Sequence, residues 1–281
     1  MSASRSCSAL RFTGAACIRT LTRDSLLLAL PGRTEMAHSF VIDSLPESAA
    51  LYRDTHALAV VDVFRATTCI VTALFRGHAV YPVATIGEAV TVAGGLRDAR
   101  LAGEQNGIKP PNFDYDNSPW TLAGLEGAHP IVLLTSAGTL LLTNCRGASA
   151  IYVASLRNLS ATAAQLLHHP RVALIGAGTR GKPRPEDQLV CAWIGDKLLA
   201  AGYEPESEQT LDEVEGWRGA DHRIMGRSPS ADYLRTTGRE ADIDFVLEHV
   251  DDIPEVAVYN GQQVSLLSSA GFGAVAAALE S

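Results

Sequence analysis

The stretch Ala57–Gly77, ALAVVDVFRATTCIVTALFRG, reads as a strand that runs directly into a helix. Ala57 to Val61 is apolar and valine-rich, the pattern of a strand covered on both faces. Asp62 and Arg65 stand where that strand should stop, and Ala66, Ile70, Val71, Leu74 and Phe75 then recur at helical spacing. Strand ends that meet helix N-termini are where open α/β sheets bind ligands. The free N–H groups of a first helical turn attract anions. Arg65 adds a planar fork suited to phosphate or carboxylate, and Thr67 and Thr68 add hydroxyls. Asp62 is a hard oxygen ligand of the kind Mg²⁺ prefers. An Asp62–Arg65 ion pair that merely ties the turn together accounts for the same residues.

The alternation seen here continues along the chain. Strand patterns fall at Ser39 to Ile42, Leu58 to Val63, Ala79 to Ala84, Ile131 to Thr135, Ala150 to Ala154, Val172 to Gly176 and Glu255 to Tyr259. Helical spacing fills Ala66 to Arg76, Ile86 to Arg100, Gly138 to Cys145, Leu159 to His168 and Glu186 to Ala201, and later Leu211 to Arg218, Ala231 to Thr237, Asp242 to His249 and Gln263 to Ala278. The pattern predicts an α/β fold: a mostly parallel or mixed sheet with helices on both faces, a three-layer α/β/α arrangement. A division into two similar subdomains, with a break near 150–170, is compatible with the same spacing.

Several further segments carry candidate chemistry. The loop Gly103 to Pro119, GEQNGIKPPNFDYDNSP, is long, polar and proline-containing, as functional loops often are. Its Asp114 and Asp116 put two carboxylates within reach of one cation, although turn-forming Asp and Asn look much the same. Glu104 is either a third ligand or a solvated loop acid. Thr135-Ser136-Ala137-Gly138-Thr139 forms a second strand-to-helix turn, read as a helix cap or as a phosphate-facing helix start. Gly176 to Lys182, GAGTRGK, matches two nucleotide-binding patterns, but Pro183 and Pro185 delay the helix and no Ser or Thr follows Lys182. A flexible turn whose N–H groups approach an anion, with Arg180 or Lys182, fits better. Glu186 and Asp187 open the next helix; dipole compensation explains acids there, and a metal ligand or general base facing the cleft is the functional alternative.

Composition bounds the reading. The chain has 281 residues, 47% of them hydrophobic, and a formal net charge of −8. Such a charge argues against non-specific nucleic-acid binding. The first 35 residues carry Arg5, Arg11, Arg19, Arg23 and Arg33 against Asp24 and Glu35, so they hold +3 and the remainder −11. They read as a poorly ordered extension, with Met36 as an alternative start. No apolar run approaches the roughly 18 residues of a membrane span. Cys7, Cys17, Cys69, Cys145 and Cys191 show neither zinc nor disulfide spacing, which points to reducing cytoplasm.

VDVFRATT (61–68), GEQNG (103–107), FDYDNSP (113–119), TSAGT (135–139), GAGTRG (176–181) and PED (185–187) together resemble the 2-phosphosulfolactate phosphatase (ComB) family. The resemblance is good from about Met36 to Ala200 and weak beyond. It implies a domain over 36–281 and a Mg²⁺-dependent phosphatase that releases phosphate from 2-phosphosulfolactate, leaving 3-sulfolactate, on the path to coenzyme M. It implies a small phosphorylated acid as partner, no nucleic acid or membrane, and allows a homo-oligomer. The matching positions give a pool of metal ligands and a water-orienting base: Asp62, Glu104, Asp114, Glu186 and Asp187, with Asp62, Glu104 and Asp114 as the metal set. Arg65, Thr67, Thr68, Asn117, Ser118, Thr135, Gly138, Thr139 and Gly178 would hold the phosphate or acid groups. The chain departs from the family pattern at Gln105, where an arginine is expected, at Ala137 (asparagine) and at Asp116 (glycine). The family's His-Gly step has no counterpart near Ser228 to Leu234. These departures motivate a rival reading, a catalytically silent relative that binds an anionic metabolite.

Overall fold

The structure is a computed structural model that describes residues 37–267. The N-terminal extension, Cys7, Cys17 and the end of the helix expected over Gln263 to Ala278 lie outside the described residues. The elements run β1 (Ser39–Ser44), α1 (Ala49–Tyr52), β2 (Ala57–Val61), α2 (Ala66–Phe75), β3 (Val80–Val83), α3 (Ile86–Gly94), β4 (Arg100–Gly103), α4 (Pro119–Ala123), β5 (Ile131–Leu134) and α5 (Gly138–Asn144). They continue with β6 (Ile151–Ala154), α6 (Leu159–Leu166), β7 (Arg171–Gly176), α7 (Pro185–Ala200), β8 (Glu204–Pro205), α8 (Glu208–Trp217), α9 (Pro229–Thr236), α10 (Glu240–Glu248), β9 (Ala257–Tyr259) and β10 (Val264–Leu266).

The strands form one sheet in the order β4-β5-β3-β10-β9-β6-β2-β7-β1-β8. The late hairpin β9–β10 is antiparallel and joins β6 to β3; the other pairs are parallel. The link at β10–β3 is a single residue pair, Val264 with Val80. The sheet is therefore a three-strand part (β4-β5-β3) and a six-strand part (β9-β6-β2-β7-β1-β8) hinged at β10. The segment 150–170 holds β6 and α6, and β6 is built into the larger part through β2 and β9.

The two parts share a core. On β2, Leu58 and Val60 enter one apolar cluster while Ala57, Ala59 and Val61 enter another, as the period of a strand requires. The first cluster also takes Ile131 and Leu133 of β5, Val80 of β3, Cys69 to Val71 of α2, and Leu141 and Leu142 of α5. Helices α2 and α5 each pack against strands of both parts. They form a common layer between them. The opposite face of the large part is covered by α6, α7 and α8 through Leu159, Leu189, Ile194 and Val214. That of the small part is covered by α3, with Ala89 beside Val132 and Leu134. Each part thus has helices on both faces. Among the described residues no helix is long and apolar enough to cross a membrane, and Cys69, Cys145 and Cys191 are free and buried.

Two expectations are corrected. The helix from Ile86 stops at Gly94 rather than Arg100, because Gly94-Gly95 ends it and Arg100–Gly103 pairs with β5 as an edge strand. Val264–Leu266, read as the start of a last helix, is instead a strand held by Tyr259 and Val80.

Gly103 shows how tightly the small part is built. Its φ is +138°, and a Cβ there would lie 1.9 Å from the Leu134 carbonyl oxygen. Gly103→Ala is expected to lose roughly 3 kcal/mol or more, from backbone strain plus the clash, read as a lowered urea midpoint. A midpoint equal to wild type would show that β4 is not held against β5 in this register.

Candidate functional site

The C-terminal ends of β2, β4, β5 and β7 supply the residues singled out by the sequence. Each end is locked by its own side chains. At the end of β2 the Thr67 hydroxyl donates to the Asp62 carbonyl at 2.8 Å and accepts the Asp62 N–H at 3.0 Å. The Thr68 hydroxyl donates to the Val63 carbonyl at 2.9 Å. At the end of β5 the Thr135 N–H donates to the Thr139 hydroxyl at 2.8 Å, and the Thr139 N–H donates to the Thr135 hydroxyl at 3.0 Å. These short-range bonds replace the pairing that strand and helix ends otherwise lack. Thr67, Thr68, Thr135 and Thr139 brace the two turns from buried positions.

Glu104 ties two loops together. Its carboxylate accepts the Ser136 N–H at 2.7 Å, the Ser136 hydroxyl at 2.9 Å and the Gly107 N–H. Asp187 does the same for β2 and β7, accepting the Val63 N–H at 2.8 Å and the Gly178 N–H at 3.3 Å. The Gly178 N–H, expected at an anion, is thus directed to Asp187.

The acids gather where water is scarce. Asp62, Glu186 and Asp187 are 7%, 1% and 3% exposed. Glu186 and Asp187 stand in the first turn of α7, where the helix dipole favours acids, and they do so from buried positions. Burial pushes the Asp62 carboxyl up to about 6, with Glu104 and Glu186 adding to it while the Ala66 N–H and Arg65 pull back. Burial raises Asp187 well above the carboxylate range, and the charges of Asp62 and Glu186 raise it further. The Glu186 Oε2 is buried without a hydrogen-bond partner. Asp62 Oδ1 accepts the Ala66 N–H at 3.2 Å, while Oδ2 faces Gly138, where a Cβ would approach it to 2.4 Å. Among the described residues no group of three or more His, Cys, Asp or Glu side chains converges on a metal position. The three acids share a neighbourhood and an electrostatic burden, not a finished coordination shell.

Beside them lies a buried charge network that the sequence reading missed in part. Arg65, 5% exposed, donates from Nη1 to Asp242 and from Nη2 to the Asn117 side-chain Oδ1 at 2.6 Å. Ser118 donates to Asp242 and accepts the Thr121 N–H at 3.1 Å as the cap of α4. Arg65, Asn117 and Ser118 are therefore engaged with the protein itself. Asp116 lies 3.4 Å from Arg65 Nη1 and 2.6 Å from Arg239 Nη1. Burial raises its carboxyl despite both arginines. Asp114, placed in the metal set from sequence, is exposed and accepts the Leu101 N–H at 2.8 Å at the edge of β4. Two positions on, Asp116 faces Arg65 and Arg239 instead; in a regular strand the two side chains would share a face, so the loop turns between them. Asp242 had a signal: it stands four residues before Val246, on the buried face of α10.

The family model described as 2-phosphosulpholactate phosphatase matches residues 43–262. A protein of Symbiobacterium thermophilum is 40% identical over 220 residues, covering 76% of this chain and 86% of that protein. One of Carboxydothermus hydrogenoformans is 33% identical over 213 residues, covering 74% and 89%. One of Thermoplasma acidophilum is 38% identical over 158 residues, covering 56% and 70%. Each carries the name probable 2-phosphosulfolactate phosphatase.

The clustered acids set a pH dependence. A carboxyl whose folded pKa is raised stabilises the fold below its unfolded pKa and loses that contribution as pH rises through the folded one. For Asp62 this window runs from the ordinary 3.8 to about 6. Glu186→Gln removes one charge from the group without changing its shape. In metal-free protein it is expected to raise stability at pH 7.5 by roughly 1–3 kcal/mol, with the gain shrinking towards pH 4. Urea unfolding at both values reads this; a variant less stable than wild type at pH 7.5 contradicts it.

Proposed function

The chain belongs to the 2-phosphosulfolactate phosphatase family, and from that premise we propose that it hydrolyses 2-phosphosulfolactate or a related phospho-acid with Mg²⁺ as cofactor. The observation that carries this reading is the burial of Asp62, Glu186 and Asp187 together, with Glu186 Oε2 unpartnered. Buried like charges are costly unless protonated or matched by a cation. Mg²⁺ commonly takes one or two carboxylates and completes its shell with water and substrate phosphate, which suits a group that is close but not convergent. Asp62 and Glu186 would hold the ion through the oxygens that face no donor. When bound, the ion would supply charge neutralisation and polarisation of the phosphoryl group.

The protein's own residues would then do the rest. Water attacks phosphorus, the bond from phosphorus to the ester oxygen breaks, and inorganic phosphate leaves. The proton lost by the water passes through the carboxyl group of Asp62, Glu186 and Asp187 to the leaving alkoxide, giving the 2-hydroxy acid; for 2-phosphosulfolactate this is 3-sulfolactate, towards coenzyme M. Asp187 keeps the ends of β2 and β7 in register through Val63 and Gly178. Glu104 fixes the opposite loop through Ser136 and Gly107. Arg180 and Lys182, exposed on the loop after β7, are available to the substrate's acid groups. Three free, buried cysteines suit a reducing cytoplasm.

The engagement of Arg65 and of the four threonine hydroxyls within the protein favours a second reading, a relative that binds an anionic metabolite without hydrolysing it. The two separate cleanly. Asp62→Asn is expected to abolish Mg²⁺-dependent phosphate release, a loss of about 10³-fold or more, with circular dichroism unchanged. Chelation should have the same effect on wild type. Wild-type turnover in the variant removes Asp62 from the mechanism. Thermal stabilisation by 2-phosphosulfolactate without phosphate release selects the silent relative.

A further inference from the structure

A site rich in acids has to present a cation to a multiply anionic ester, and the arginine nearest Asp62 is already engaged. Arg65 is buried and bonded to Asp242 and Asn117. Arg239 differs. It caps the start of α10, its side chain is 29% exposed, and its ion pair among the described residues is with Asp116, at 2.6 Å from Nη1 to Oδ2. Asp116 is poorly satisfied in return: its Oδ1 is buried without a hydrogen bond, 3.4 Å from Arg65 Nη1. The carboxylate sits between two guanidinium groups and is in close ion-pair contact with one of them only. It belongs to the same neighbourhood as the clustered acids, since Glu104 acts on both Asp116 and Asp62.

We propose that Arg239 is a specificity-determining residue that binds an oxyanion group of the substrate other than its phosphate, and that Asp116 fills this place as an internal stand-in until substrate arrives. The planar guanidinium fork pairs two N–H groups with two oxygens of a carboxylate, and the same geometry suits two oxygens of a sulfonate. When the substrate group takes Arg239, Asp116 keeps a second arginine, Arg65, already within 3.4 Å of its free oxygen. The stand-in shields Arg239 in the empty site and weakens substrate binding by competition, because a ligand must displace it. Asp242 and Asn117 hold Arg65 in place during the exchange.

This inference rests on the phosphatase reading, so the test uses both turnover and binding. Phosphate release from 2-phosphosulfolactate, 2-phospholactate and p-nitrophenyl phosphate is compared in wild type, Arg239→Gln and Asp116→Asn. In Arg239→Gln the ratio of kcat/KM for 2-phosphosulfolactate over p-nitrophenyl phosphate should fall about tenfold or more, through KM, the loss of one charge-assisted contact. Loss on both acid esters assigns the carboxylate to Arg239; loss on 2-phosphosulfolactate alone assigns the sulfonate. In Asp116→Asn, KM for 2-phosphosulfolactate should fall about threefold or more. An unchanged ratio, or an equal fall in kcat on all three esters, overturns the proposal. If no ester releases phosphate, the phosphatase reading has failed and calorimetric titration with 2-phosphosulfolactate decides. Weaker binding by Arg239→Gln and tighter binding by Asp116→Asn sustain the proposal, and equal affinities refute it.

Discussion

No side chain fits on the first residue of α5. A Cβ at Gly138 would lie 2.4 Å from Asp62 Oδ2 and 2.4 Å from Ala66 Cβ. This bare approach lets the start of α5, which follows β5 in the small part of the sheet, rest on the end of β2 in the large part. The two helices α2 and α5 then form one layer shared by both parts, and the C-terminal strand ends meet over it. That closure brings Glu104, on the loop after β4, towards Asp62, Glu186 and Asp187, which the adjoining strands β2 and β7 already place together. Parallel strand ends commonly bind ligands at such breaks in strand order; here the break lies between two sheet parts hinged at β10.

Around that meeting point the polar side chains divide their work. Neutral hydroxyls and amides close the turns: Thr67, Thr68, Thr135 and Thr139 at two strand ends, and Asn158, which accepts the Ser155 N–H at 2.9 Å, at the end of β6. The Glu104 and Asp187 carboxyl groups direct their oxygens at backbone donors and the Ser136 hydroxyl. Glu186 Oε2 and Asp62 Oδ2 are the oxygens that this bracing leaves over. A second balance, of Arg65 and Arg239 against Asp116 and Asp242, pins α10 and α4 to the start of α2. The buried acids and the arginine network are thus kept as separate, adjoining groups.

The sequence shows the first of these levels well and the second poorly. Strand and helix periods carry the fold because each segment is long or uniformly apolar, as in Ala57 to Val61. Asp62 is legible as an acid at a strand end, and Glu186 and Asp187 as acids at a helix start. Short edge elements are not: Arg100–Gly103 has one strongly apolar residue, Leu101, and becomes a strand by pairing with β5. Val264–Leu266 follows a helix-like composition and is decided by its partners on either side. The choice between Asp114 and Asp116 depends on which side of one loop faces inward. Asp242 meets Arg65 across 177 positions of chain, a distance over which local pattern carries no information. The family resemblance singled out motifs that fall at these strand ends and helix starts, while the internal bonding of Arg65, Asn117 and Ser118 required the folded chain.

Crystals grown with Mn²⁺ and phosphate, measured at the manganese edge, would show whether the buried acids are a cation site. The expected result is an anomalous peak in contact with Asp62 and Glu186, with phosphate completing the shell and Asp114 still on the Leu101 N–H. A peak elsewhere, or acids that stay unligated at saturating Mn²⁺, would contradict a metal-dependent phosphatase built on these residues.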